Sequence, residues 1–264
     1  MNRKGIILAG GRGKRLYPLT RGTSKQLLPV YDKPLIYYPI STLMDCGITE
    51  IAIIVAKGET ERFKKVLGDG SQWGLQFTYF IQSAPRGIAE AFIITEKWLG
   101  KSNVVLALGD NIFHGTAFKN QLTSIHESKD SLNLIFGYRV CNPSEYGVVE
   151  FDEKLKVKRI VEKPTEFVSM YAVPGLYFYD NSCINKAKSL TPSPRGELEI
   201  TDINNLYMRE GKLEVRLLDP GTAWLDTGSA DSLLDAAEFV RVMQRRTGVS
   251  VCDPSRSTTN EGGK

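Results

Sequence analysis

No acidic side chain precedes Asp32, although Arg3, Lys4, Arg12, Lys14, Arg15, Arg21 and Lys25 all do. Histidine is scarce, with His114 and His126 alone. The four cysteines, Cys46, Cys141, Cys183 and Cys252, never take a Cys-x-x-Cys spacing. These shortages exclude a zinc site built from clustered ligands. The scattered cysteines read as reduced thiols of a cytoplasmic protein. Long apolar runs are missing too. The N-terminal run, Ile6 to Ala9, is too short for a signal peptide, and no other stretch is long enough to span a bilayer. The excess of Lys plus Arg over Asp plus Glu is 34 to 30, too small to argue for nucleic-acid binding. No internal repeat appears at solenoid periods.

What is present is an ordinary globular composition, 42% hydrophobic and 24% charged. Strand-like and helix-like segments alternate. Strands are expected at Lys4 to Ala9, Glu50 to Ala56, Leu75 to Ile81 and Asn103 to Leu108. Helices are expected at Ile40 to Cys46, Thr60 to Leu67 and Ile88 to Trp98. This rhythm predicts a Rossmann-like α/β fold: a mixed, mostly parallel sheet with helices on both faces. After Leu132 strands dominate to Tyr179, with a hairpin over Gly147 to Glu162 turning near Asp152 to Lys154. Helices return at Asn181 to Leu190, Glu199 to Arg209 and Ala230 to Arg246. The expected organisation is one domain over 1–246, with a first part near 1–130, a smaller β-rich part near 131–228 and a closing helix at 230–246. A loose tail follows over 247–264, rich in Ser, Thr, Gly and Asn at its end.

The cations gather on one glycine-rich loop, LAGGRGKRLYPLTRGTSKQLLPV. A glycine-rich loop behind the first strand of an α/β sheet faces phosphate, because backbone N–H groups reach an anion with no Cβ in the way. Two common loops fail on spacing. Gly10 is followed by Gly11 where a P-loop needs Lys, and Leu16 stands where a dinucleotide fingerprint needs its third glycine. What remains is a thin loop carrying its own cations. Charge alone also describes a solvated loop. The glycines at the strand end favour phosphate. Asp110, in Gly-Asp-Asn at the end of a strand, is open to two readings, a turn former and a ligand at the carboxyl end of the sheet.

The motif G-G-x-G-x-R-L-x-P-L-T followed by S-K-Q-L-L-P-V-Y-D-K-P resembles the signature of the sugar nucleotidyltransferase family. L-G-D-N at Leu108 to Asn111, E-Y-G-V-V-E-F-D at Glu145 to Asp152 and E-K-P at Glu162 to Pro164 agree with it. So do G-L-Y-F-Y-D at Gly175 to Asp180, P-S-P-R-G-E-L-E-I-T-D at Pro192 to Asp202 and A-W-L-D-T-G at Ala223 to Gly228. The later blocks and the Gln82 region point to the thymidylyl branch.

The resemblance implies that dTTP and glucose 1-phosphate combine to give dTDP-glucose and pyrophosphate with Mg²⁺. It implies catalytic roles for Arg15 and Lys25 and metal ligation by Asp110 and Asp226. Gly10, Gly11, Gly13, Gln26, Gln82 and Gly87 would bind nucleotide, Gln82 pairing with a pyrimidine edge. Asn111, Tyr146, Gly147, Glu162, Lys163 and Val173 would bind the sugar phosphate. Neighbours on a regular strand point to opposite faces, so Glu162 and Lys163 can both reach the sugar only if the strand bends at Pro164. Lys14 and Arg86 depart from the family pattern, and their roles stay open. Two alternatives remain: a uridylyltransferase on the same sugar phosphate, and a catalytically silent sugar-nucleotide sensor. A homo-oligomer, tetramer or dimer, is expected, with no nucleic-acid or membrane partner. The departure from thymidylyl relatives near Asp253 carries the expectation of weak feedback by dTDP-rhamnose.

Overall fold

In a computed structural model the chain runs through β1 (Arg3–Ala9), β2 (Pro29–Val30), β3 (Lys33–Pro34), α1 (Tyr37–Asp45), β4 (Glu50–Ala56), α2 (Thr60–Leu67) and β5 (Gln76–Gln82). Next come α3 (Glu90–Ile94), α4 (Glu96–Leu99), β6 (Asn103–Leu108), β7 (Asn111–His114), α5 (Thr116–Ser128) and β8 (Asn133–Arg139). Then follow β9 (Gly147–Phe151), β10 (Val157–Glu162), β11 (Tyr171–Ala172), β12 (Leu176–Tyr179), α6 (Cys183–Ser189) and α7 (Ile200–Arg209). The last elements are β13 (Leu213–Leu217), β14 (Ala223–Asp226) and α8 (Ala230–Thr247). The structure describes residues 2–11, 13–128, 133–153 and 156–256. Arg12 and the predicted turn at Lys154 lie outside them.

The chain divides into two compact units. One comprises residues 4–84, 107–128 and 221–264. Its β1 pairs in parallel with β4, and β4 with β5. Ile51 to Val55 of β4 are all fully buried, which is why that strand is an unbroken apolar run with no polar alternation. Two short antiparallel pairs accompany them, β2 with β3 and β7 with β14. A second core forms from Val30, Leu35, Tyr38, Ile112, Ala236, Val240 and Val251. Ser229 and Ser232 exchange a reciprocal capping box that starts α8, and Gly248 ends it in the left-handed region.

The other unit comprises residues 1–3, 85–106 and 129–220. It is the β-rich part: β9 pairs antiparallel with β10 and β11, and β8 with β11 and β12. The parallel exception is β13 beside β8. The fold is therefore α/β with a mixed sheet, as expected.

Three local expectations change. The helix expected over Ile88 to Trp98 breaks at Thr95, whose hydroxyl donates to the Ala91 carbonyl at 2.7 Å and bends the turn. Helix α5 was not expected, although Phe118, Leu122 and Ile125 bury one face at helical spacing. The expected loose tail is docked as far as Pro254. Val251 is 2% exposed and its N–H donates to Gln244 Oε1, while Cys252 Sγ donates to the Phe113 carbonyl. Two apolar anchors, Val251 and Pro254, hold it down, and both are buried. The rest of the tail, 257–264, lies outside the described residues.

Candidate active site

The loop after β1 is shaped by what glycine leaves empty. A Cβ at Gly10 would fall 2.6 Å from Gln82 Oε1, so Gln82 at the end of β5 lies against that backbone. Gly13 sits at φ 57° and accepts a 2.9 Å bond from Thr20 Oγ1. Side-chain atoms of Thr20 and Lys25 crowd its missing Cβ. Arg15 and Lys25 follow on short 3-10 turns, Lys14–Leu16 and Lys25–Leu27. Arg15 is exposed, whereas Lys25 is 5% exposed. Gln26 beside it is equally buried, and its Oε1 has no hydrogen-bond partner in the structure. A desolvated acceptor of this kind fits a ligand donor.

A buried ammonium needs a counter-charge, and Asp110 supplies it. Lys25 Nζ donates to Asp110 Oδ2 at 2.6 Å. The other oxygen, Oδ1, accepts from Asn111 Nδ2 at 3.0 Å, and Asn111 Oδ1 accepts from Trp224 Nε1 at 2.7 Å. Trp224 thus fixes which way the Asn111 amide faces. Asn111 stands opposite Asp226 in the β7–β14 register. The Asp110 carbonyl accepts from both the N–H and the hydroxyl of Thr227. Two strands far apart in sequence so bring Asp110 and Asp226 to one rim. At Gly228 a Cβ would meet Arg15 Nη2 at 2.9 Å and Asp226 Oδ2 at 3.1 Å. Arg15 and Asp226 therefore approach each other over a residue where an added Cβ would displace one or both.

Two carboxylates alone do not cage a metal. Among the described residues no group of three His, Cys, Asp or Glu side chains is placed to hold one. The all-oxygen pair fits a hard divalent cation that takes its remaining ligands from substrate phosphate and water.

The β-rich unit carries the expected sugar residues other than Asn111, which lies in the first unit. Glu162 ends β10 and accepts from Thr201 Oγ1 at 2.7 Å and from Arg195 Nη2 at 3.2 Å. Arg195 is also gripped by Glu199 at 2.8 Å. Burial lowers the guanidinium pKa, but Glu199, Glu162 and Glu197 outweigh it and raise the pKa overall. Burial, with Glu199 and Glu162 nearby, holds the Asp202 carboxyl above the usual range. Lys163 has φ 42°, so the bend that Glu162 and Lys163 require occurs at Lys163, one residue before Pro164. The Lys163 N–H donates to the Tyr146 carbonyl at 2.9 Å, and the Val173 N–H to the Gly147 carbonyl at 2.7 Å. A Cβ on Gly147 would press on Thr201 Oγ1 and Glu162 Oε2. Gly87, at φ 100°, meets the Leu198 backbone, where a Cβ would fall 2.3 Å from the carbonyl oxygen.

One unit thus gathers Gly10, Gly11, Gly13, Arg15, Lys25, Gln26, Gln82, Asp110, Asn111 and Asp226. The other gathers Tyr146, Gly147, Glu162, Lys163 and Val173, and also contains Gly87. Trp224, Thr227, Gly228, Arg195 and Thr201 took no role from the sequence. They stand inside recognisable motifs, but only spacing in three dimensions gives them partners.

The family model "Nucleotidyl transferase" matches residues 4–242. A Mycolicibacterium smegmatis glucose-1-phosphate thymidylyltransferase is 51% identical over 98% of this chain and 89% of its own. A Neisseria gonorrhoeae protein of the same name is 53% identical over 91% of this chain and 83% of its own. A Bacillus anthracis structure described as a glucose-1-phosphate thymidylyltransferase in complex with sucrose superposes with a TM-score of 0.82 at 40% identity, over 90% of this chain and 95% of that one.

Proposed function

The chain belongs to the nucleotidyl transferase family, and from that premise we propose that it transfers a thymidylyl group from dTTP to α-D-glucose 1-phosphate. The products are dTDP-glucose and pyrophosphate. The observation that carries the chemistry is the rim where Lys25 meets Asp110 and where Arg15 and Asp226 both crowd Gly228. The two relatives above support the choice of base and sugar by their names.

An oxygen of the sugar phosphate attacks the α-phosphorus. A new P–O bond forms, the bond from the α-phosphorus to the bridging oxygen breaks, and pyrophosphate leaves with that electron pair. The nucleophile is already an anion at neutral pH, so no general base is needed. That suits a site without histidine. The protein's task is to bring two anions together and to stabilise the charge that gathers as pyrophosphate departs. Arg15 grips phosphate oxygens with its planar fork, and Lys25 supplies a point charge beside them. Gly10, Gly11 and Gly13 let the backbone approach, and Gln26 and Gln82 receive the nucleotide. Gly87 is assigned to nucleotide binding as well. Asp110 and Asp226 would hold Mg²⁺, which when bound neutralises phosphate charge. Lys163 pairs with the sugar phosphate. Glu162, oriented by Thr201 and Arg195, accepts sugar hydroxyls, with Tyr146, Gly147 and Val173 beside it. Asn111 is a further residue proposed for the sugar phosphate.

No helix among the described residues is long and apolar enough to cross a membrane. Leu234, Val242 and Val249 leave apolar surface exposed, which supports a homo-oligomer. The deciding assay measures pyrophosphate from glucose 1-phosphate and Mg²⁺ with dTTP, UTP or ATP in turn. We expect dTTP to be the best substrate and ATP the poorest. Silence with all three would leave a sugar-nucleotide sensor in place of the enzyme.

A further inference from the structure

The segment Lys14–Ser24 that separates Arg15 from Lys25 stands largely at the surface. Tyr17 is 59% exposed and Leu19 53% exposed. Its bonds are mostly internal: Leu16 N–H to the Gly13 carbonyl, Tyr17 N–H to the Lys14 carbonyl and Arg21 N–H to the Pro18 carbonyl. The Arg21 guanidinium lies over the Tyr17 ring at 5.6 Å. An arm built this way does not by itself fix where its far end sits, yet that end delivers Lys25.

Two side chains from the start of α2 reach the far end. Ser24 Oγ donates to Glu59 Oε2 at 2.8 Å. Arg62 Nη1 donates to the Gly22 carbonyl at 2.8 Å and to Glu59 Oε1 at 3.3 Å. One carboxylate thus joins Ser24 to Arg62, and Arg62 returns to the arm two residues earlier. Helix α2 is itself anchored, with Phe63 and Leu67 fully buried. Ser24 directly precedes the turn Lys25–Leu27, and its carbonyl accepts from the Leu27 N–H at 3.0 Å. Its hydroxyl does not cap that turn, because it is spent on Glu59.

We propose that Glu59 and Arg62 are positioning residues for the nucleotidyl transfer, a latch that holds Gly22–Ser24 and so sets Lys25 against the phosphates. This rests on the reaction proposed above. In this role neither Glu59 nor Arg62 needs to touch substrate. They act through Ser24 on the direction of the Lys25 side chain. A misplaced cation weakens stabilisation of the leaving group more than it weakens ground-state binding, because charge concentrates in the transition state.

The test uses the full chain. Glu59→Ala and Ser24→Ala should each lower kcat about tenfold, with KM for dTTP and for glucose 1-phosphate within about twofold of the parent. Combining them should cost no more than Glu59→Ala alone, because that variant has already lost the Ser24 bond. Ser24→Thr keeps the hydroxyl and should restore kcat. A second readout needs no turnover: trypsin should cut after Arg21 about tenfold faster in Glu59→Ala than in the parent, at equal Tm. Unchanged kcat, additive losses, or unchanged cleavage would each overturn the latch. A parent protein that makes no pyrophosphate would strike the proposed reaction instead, and the cleavage rate would still decide whether the latch holds the arm.

Discussion

Lys25 Nζ lies 2.6 Å from Asp110 Oδ2, joining the far end of the glycine loop to the end of β6 across 85 residues of sequence. The ammonium is almost wholly buried, while about a third of the Asp110 side chain reaches solvent. The carboxylate therefore neutralises Lys25, and under the proposed reaction it has a second duty, to meet a cation from outside.

Those duties separate in two variants. Asp110→Asn removes the charge facing a buried lysine and should cost about 2 kcal/mol, below the cost of breaking a fully buried pair because Asp110 is partly solvated. Asp226→Asn leaves the Lys25 pair intact and should cost less. Both should lose at least about a hundredfold in pyrophosphate release, because a metal held by two carboxylates cannot spare one. Near-normal release by either variant would remove that residue from the metal site, and equal Tm values would contradict the split.

Gly228 and Gly87 make a contrasting pair. A methyl at Gly228 would press on the tip of Arg15 and on the Asp226 carboxylate, both of which can swing aside. Gly228→Ala should therefore fold normally and lose about tenfold or more in kcat. At Gly87 the neighbour is the Leu198 backbone and φ is 100°, so neither side can yield. Gly87→Ala should lower Tm as well as activity. Thermal melts beside initial rates distinguish the two, and the reverse ordering of Tm would refute the argument.

Trp224 orients the amide beside Asp110, one of the two proposed metal ligands. Trp224→Phe keeps an aromatic ring but removes the donor to Asn111 Oδ1. Losing that hydrogen bond should cost about 1 kcal/mol. The freed amide can also turn its oxygen towards Asp110, and two acceptors face to face should raise the Mg²⁺ concentration needed for half-maximal rate. An unchanged Mg²⁺ titration would limit Trp224 to packing.

Gln244 clamps the end of α8 to the β2–β3 hairpin. Its Nε2 donates to Asp32 Oδ2 at 2.8 Å, and its Oε1 accepts from the Val251 N–H at 2.9 Å and from Lys33 Nζ at 3.2 Å. Burial raises the Asp32 carboxyl pKa, but the bonds from Gln244 and Lys33 outweigh it and lower the pKa overall. Asp32 then contributes stability that is present above the ordinary value of 3.8 and lost as pH falls through the lower folded value. Gln244→Leu should lower Tm at pH 7 and make the acid limb below the ordinary value of 3.8 shallower. An acid limb identical to the parent's would show that Asp32 draws nothing from Gln244.

Legibility in the sequence followed range. The parallel strands of the first unit were readable because Ile51 to Val55 form an unbroken apolar run. The paired β7 and β14 were not, since Asn111 and Asp226 meet only after more than a hundred residues of intervening chain. Arg15, Lys25, Asp110 and Asp226 could be named from their motifs, while their partners Gly228, Thr227 and Trp224 depend on that pairing. Arg195 and Thr201 were hidden for the same reason. A guanidinium four residues before a glutamate signals an ion pair, but nothing in the spacing reveals that the pair also orients Glu162.

Lys163 offers a way to separate charge from backbone shape. Its φ of 42° lies where a side chain costs about 1 kcal/mol relative to glycine, and that conformation turns the chain after Glu162. Lys163→Met removes the ammonium and keeps the strain. Lys163→Gly removes both. If the ammonium binds the sugar phosphate, the two variants should raise KM for glucose 1-phosphate about equally, by about tenfold or more, and leave KM for dTTP near the parent value. Their stabilities should diverge, with Lys163→Gly melting above Lys163→Met because the left-handed backbone no longer carries a Cβ. A rise in the dTTP KM would move Lys163 to the nucleotide. A selective loss in Lys163→Gly alone would mean that Lys163 serves the site by stiffening the bend, with its charge incidental.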